Sequence, residues 1–330
     1  MNVSAQAGYQ GYNHTVNDRD HYLWLFQSAN LNGTIDLRGG HHLGFEVDAA
    51  DVYRGWWINS YLDLAYTENH YLRIGQYTTP FSTENNLSPT SLAHIKRYHA
   101  LSSLHQLNLA GTGFGLMSHG SRDAFTYYLS ATTNLSDHAF SPDRLEFQAR
   151  ADYQFSDDLI YGLSLLYRNQ TSESLPLTDH SGSNFSELQI NSSAVGALLK
   201  SEWFYGRWHT RSELFTLKFT DPVDSNNQAG WYYGSYSELG VHLGSDRDTA
   251  RHKLIGRLEA SQYYNSFAGH EGTERIYSLL AGYYWQLHSI LVLRSNVVFH
   301  HTDTAPLNTG ERYENQRYGF HGLMSLQWNL

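Results

Sequence analysis

From Asp143 onward, apolar and polar residues exchange places with a period of two. Leu145, Phe147, Ala149, Ala151, Tyr153 and Phe155 fall on one face; Arg144, Glu146, Gln148, Arg150, Asp152 and Gln154 fall on the other. At 100° per residue both sets would scatter round a helix, so the spacing predicts a strand with one apolar and one charged face. The next segment repeats it, with Leu159, Tyr161, Leu163, Leu165 and Tyr167 against Asp158, Gly162, Ser164 and Arg168. The C-terminus alternates in the same way from Tyr318 to Leu330.

Extended along the chain, the pattern predicts about 16 strands, at 2–14, 21–37, 41–53, 57–66, 69–77, 105–118, 122–133, 143–155, 158–168, 187–202, 205–220, 229–244, 250–266, 273–287, 289–301 and 316–330. Many exceed the usual five or six residues, and they suit a tilted strand crossing a bilayer, which takes roughly nine to eleven. Connections after even-numbered strands are brief; those after odd-numbered strands are mostly longer, as at 169–186, 221–228 and 302–315. That parity predicts an all-β transmembrane antiparallel meander barrel with turns on one rim, loops on the other and both termini on the turn side. Tyrosines and tryptophans near strand ends, Tyr66, Tyr71, Tyr153, Tyr161, Tyr167, Tyr232, Tyr233, Tyr284 and Trp285 among them, suit two interfacial girdles.

One stretch breaks the rhythm. "LRIGQYTTPFSTENNLSPT" starts as a strand and is then stopped by Pro80, Asn85, Asn86 and Pro89. It is the third long-side connection, about 78–104, and a barrel of 16 strands is wide enough for such a loop to fold inward and narrow an aqueous channel.

Composition narrows the chemistry. The 330 residues contain no cysteine, so disulfides, thiolate metal sites and cysteine nucleophiles are excluded. No apolar run reaches the length of a spanning helix; "SILVL" soon meets Arg294. No linker or change of composition divides the chain, so a single domain over 1–330 is expected. The opening "MNVSAQAGYQGY" reads as a mature secreted sequence behind an initiating methionine, with no signal peptide. Of 19 histidines, the adjacent pairs His41–His42 and His300–His301 would point to opposite strand faces, so neither predicts a shared metal. No spacing organises a nucleophile, base and oxyanion donor, and no glycine loop cradles phosphate. Neither an enzyme, a cofactor nor a nucleic-acid partner is expected.

In a barrel whose outer side must be apolar, the charged alternates line the lumen. The expected pore wall is therefore Arg144, Glu146, Arg150, Asp152, Arg168, Arg251, Lys253, Arg257 and Glu259. Glu84, His94, Lys96, Arg97 and His99 are the expected constriction, with Pro80 and Phe81 fixing the loop's departure from the wall. Net charge is -10. The other long-side connections hold 11 carboxylates against Arg19 and Arg312, whereas loop three sets Glu84 against Lys96 and Arg97. Mouth charges are screened over about 8 Å at physiological salt, so a weak anion preference at high salt is expected, drifting toward cations at low salt.

The run "RIGQYTTPFSTENN", followed by "SLAHIKRYHALSSL", resembles the phosphate-selective porin family of outer membranes. The matching residues are Gly75, Tyr77, Pro80, Phe81 and Glu84, with Arg97 near the charged residue that closes the motif. The resemblance implies a bacterial outer-membrane porin, a homotrimer among lipid and lipopolysaccharide, that passes small hydrophilic solutes or ions by passive diffusion. Phosphate selectivity is not carried over: the family's phosphate traps use arginine ladders and lysine clusters, and this chain has four lysines. A different class stays open, a barrel that sheathes an electron-transfer cytochrome or displays adhesive loops without an open channel.

Overall fold

The computed structural model describes residues 2–13, 21–48, 57–87, 101, 104, 109–134, 145–178, 184–220, 229–244, 250–267, 270–288, 291–305 and 315–329. Its strands are β1 (Asn2–Asn13), β2 (His21–Asp36), β3 (His42–Asp48), β4 (Trp57–Thr67), β5 (His70–Thr78), β6 (Thr112–Arg122), β7 (Phe125–Asn134) and β8 (Leu145–Ser156). The second half comprises β9 (Leu159–Thr178), β10 (Asn184–Tyr205), β11 (Trp208–Thr220), β12 (Ala229–Leu243), β13 (His252–Phe267), β14 (His270–His288), β15 (Leu291–Ala305) and β16 (Asn315–Asn329). Each pairs antiparallel with its neighbours in sequence, and β1 pairs β16 from Ser4↔Asn329 to Asn13↔Phe320, which closes the barrel.

Closure gives every strand two partners and removes the edges, so the main chain satisfies its own hydrogen bonds in a medium without water. The burial pattern is inverted relative to a soluble protein. On β8, Phe147 is 46% exposed while its neighbours Glu146 and Gln148 are 4% and 3% exposed. On β10, Leu199 is 57% exposed beside Lys200 at 7%. Leu163, Leu165, Leu214, Leu258, Leu279 and Phe299 continue the apolar outer surface. Such a surface is stable only against lipid. At the turn-side rim, Tyr66 and Tyr127 place their hydroxyls 2.7 Å apart on the outer face, with His70 Nδ1 3.1 Å from Tyr127.

Three expectations change. Strand β6 begins at Thr112 rather than 105, because Leu109 is buried in the lumen with Leu101 and Leu104 of loop three instead of entering the wall. The connection is therefore 79–111. The gap expected at 169–186 is mostly strand: β9 and β10 stay paired up to Thr178↔Asn184, through a stretch that opens on the polar run "QTSES" and so lacks the alternation that marks the other strands. The girdle is also thinner than its tyrosines suggested. Tyr71 shares a face with His119, Tyr128 and Arg150 in the register, and Tyr232 and Tyr284 likewise take the inward parity, so these three leave the outer belt.

Candidate functional site: loop three on the inner wall

Pro80 has no amide hydrogen to continue the ladder of β5. One residue earlier, the Thr79 amide and hydroxyl both donate to the Gly111 carbonyl, at 2.8 and 2.9 Å, and tie the two stems of the loop together. The chain then turns into α1 (Thr83–Asn86), with Ser82 as N-cap accepting from the Asn85 amide at 3.4 Å. Asn86 Nδ2 donates to the Ser82 carbonyl at 2.8 Å, and Asn85 Nδ2 donates to the Ala110 carbonyl.

Three strands hold this turn from outside. Glu213 of β11 accepts from Ser82 Oγ at 2.6 Å and from the Thr83 amide at 2.8 Å, which places a carboxylate on the exposed donors of the turn. Arg150 of β8 donates to Thr83 Oγ1 at 2.9 Å, and Gln148 donates to Thr79 Oγ1 at 2.9 Å. Arg257 of β13 lies 3.3 Å from Glu84, 2.5 Å from Glu259 and 5.0 Å over the Tyr236 ring. Apolar packing completes the seat. Phe81, Leu101, Leu104 and Leu109 are fully buried against an inward patch of Leu166, Leu198, Phe215, Leu217, Tyr232 and Tyr263. Phe81 meets Phe215 edge-on at 6.5 Å. Burying each such side chain contributes about 1.5–3 kcal/mol.

Beneath the loop a chain of charges runs along the same wall. Asp152 joins Arg150 at 2.5 Å and Lys200 at 3.4 Å; Glu202 joins Lys200 at 3.7 Å and Arg211 at 2.6 Å. Asp152 and Lys200 reach each other across β9 because Gly162 lies between them, where a Cβ would sit 2.3 Å from the Asp152 carboxylate. Arg168 lies 3.8 Å from Glu146.

The wall of β3–β7 differs. Arg73 donates to Asp63 through Nε and Nη2, both at 2.8 Å, and its guanidinium stacks 3.6 Å over the Tyr61 ring. Toward the turn-side rim stand His42, Tyr71, His119 and Tyr128, with successive ring centroids 5.6, 5.4 and 6.1 Å apart. Tyr77, at the base of the loop, bonds Ser130 at 3.0 Å.

Of the residues expected at the constriction, Glu84 is buried and fastens the loop to Arg257 instead of facing the solution. His94, Lys96, Arg97 and His99 lie outside the described residues, as does Arg144. Glu146, Arg150, Asp152, Arg168, Lys253, Arg257 and Glu259 occupy the inward parity of their strands. Arg251 shares that parity but lies just before β13 and is exposed, its carbonyl accepting from the Gln286 amide at 2.7 Å. Sequence reasoning passed over Glu213, Glu202, Arg211, Lys200, Asp63 and Arg73. The period-two rule would have found each one, since all stand between outward-facing neighbours. Among the strand walls and loop three, the described inward charges that are buried or half-buried are eight carboxylates (Asp63, Glu84, Glu146, Asp152, Glu202, Glu213, Glu238, Glu259) and eight cations (Arg73, Arg150, Arg168, Lys200, Arg211, Lys253, Arg257, Arg294). Among the described residues no cluster of metal-ligating side chains occurs.

No protein-family model matches the chain, and no characterised protein sequence does. Solved structures do match. The anion-selective porin from Comamonas acidovorans superposes with a TM-score of 0.70 at 12% identity, covering 100% of this chain and 98% of that one. A loop L8 deletion mutant of OmpT, an outer membrane protein of Vibrio cholerae, gives 0.70 at 9%, covering 100% and 98%. The outer membrane channel DcaP of Acinetobacter baumannii gives 0.65 at 9%, covering 100% and 96%. At these identities the likeness is one of architecture, and the architecture is that of the outer-membrane porin barrels.

Proposed function

We propose that the chain is a porin of the bacterial outer membrane, a water-filled channel through which small hydrophilic solutes and ions, anions among them, diffuse passively. The observation that carries this reading is loop three docked inside a closed 16-stranded barrel and fastened to one wall. A loop held on one side narrows the lumen without sealing it, so pore width and lining polarity do the selecting and no covalent step is needed. Glu146, Arg150, Asp152, Arg168, Lys253, Arg257 and Glu259 serve as wall charges, and Lys96, Arg97, His94 and His99 as the polar rim of the constriction. Assembly as a homotrimer among lipopolysaccharide and phospholipid belongs to the same proposal, supported by the porin likeness.

The purified protein should need detergent and, reconstituted in a planar bilayer, should give stable ohmic steps in KCl. A folded barrel that inserts without conducting would instead support a sheath or a display scaffold.

A further inference from the structure

We infer that the inner wall of β3–β7 is a binding track for pyranose sugars, a reading that rests on the channel proposal and adds its substrate class. Tyr71, His119 and Tyr128 pair directly across β5, β6 and β7, so their rings form one row on the lumen face. Centroid separations of 5.4 and 6.1 Å at interplanar angles of 19° and 14° make an offset stack. Each ring then covers only part of the next, and all three stay half-buried rather than sealed. Strands in a barrel are tilted, so a row that runs across them climbs the wall obliquely.

One step up the strands, Tyr61 lies flat against the wall. Its ring occupies the place a Cβ at Gly44 would take, 2.3 Å from the ring atoms, so only glycine on β3 lets it lie there. Arg73 rests on that ring and forks onto Asp63, with His119 Nε2 3.4 Å from the same carboxylate. Arg73 keeps 19% of its side chain exposed and His119 16%.

Charge decides the ligand class. A phosphate or carboxylate needs an uncompensated cation, but the Nε–Nη2 edge of Arg73 already faces Asp63, whose negative charge repels a second anion. A neutral polyol meets no such penalty: Arg73 Nη1 offers donors to a hydroxyl, while the buried Asp63 holds the guanidinium in place. Ring faces complement the C–H face of a pyranose, and tyrosine joins an apolar body to a polar tip. A solute with an apolar face and a ring of hydroxyls fits this wall better than a small anion.

The test uses the whole protein in planar bilayers, with a linear glucose hexasaccharide as probe and poly(ethylene glycol) of equal hydrodynamic radius as a control for plain occlusion. Saturable, concentration-dependent block by the sugar and none by the polymer is expected. Combining Tyr71→Ala with Tyr128→Ala should weaken that block roughly tenfold, at a few-fold per ring, whereas the two Tyr→Phe changes should retain most of it. Equal block by sugar and polymer, or conductance with no sugar block, overturns the track and leaves the channel standing. No conductance at all removes the channel, and the track with it. Should the double variant fail to assemble, the wild-type comparison of sugar with polymer decides by itself.

Discussion

Two walls of one lumen do different work. The wall of β8–β13 presents an apolar patch and fixed carboxylates to its own loop. On the wall of β3–β7, Arg73 and His119 keep part of their side chains exposed beside a buried Asp63. In the proposed channel, the groups that hold the loop are taken out of solution, and Arg73 and His119 on the opposite wall stay partly exposed to it.

The largest expected effect comes from removing what the wall of β8–β13 holds. Deleting Asn85 to His99 should raise single-channel conductance without preventing assembly, because the segment lies outside the paired wall. Unchanged conductance in a folded deletion would mean that the loop does not narrow the path. Phe81→Ala should loosen the same seat while leaving the loop's length intact. It empties a fully buried aromatic site, which costs about 3–5 kcal/mol, and should appear as current noise and faster proteolysis within loop three. Arg257→Met strands Glu84 and Glu259 in a buried site, a loss of about 3–5 kcal/mol, and should give the same two signatures. A quiet channel in either variant would show that the seat is held elsewhere.

The wall of β3–β7 should respond in charge rather than in stability. Arg73→Met frees Asp63 and leaves one negative charge in the lumen, so reversal potentials in a KCl gradient should move toward cations. The cost in stability is smaller, about 1.5–3 kcal/mol for hydrogen bonds to a charged group. An unmoved reversal potential would place this pair off the ion path. Smallest is the effect of Lys96→Glu with Arg97→Glu: a shift of the weak anion preference toward cations at high salt. Its absence would remove both residues from the constriction.

Local chemistry alone determined the barrel. Alternation depends only on neighbours in the chain, so strand number, facing and the choice of lipid for the apolar side could be read directly from residues such as Glu146 and Phe147. Pro80 and the asparagines after it announced the loop for the same reason. What the local pattern could not carry was the destination of that loop. Glu84 meets Arg257 across 173 residues and Ser82 meets Glu213 across 131, and no periodicity relates positions so far apart. Leu109 looks like a strand residue until a lumen patch exists to bury it. Tyr71 and Tyr66 are equally good belt residues by composition, and only register turns one inward and the other outward. The sequence by itself determined which faces must avoid water; the closed barrel decided which wall the loop would cover, because that choice is made by packing between strands brought together only on closure.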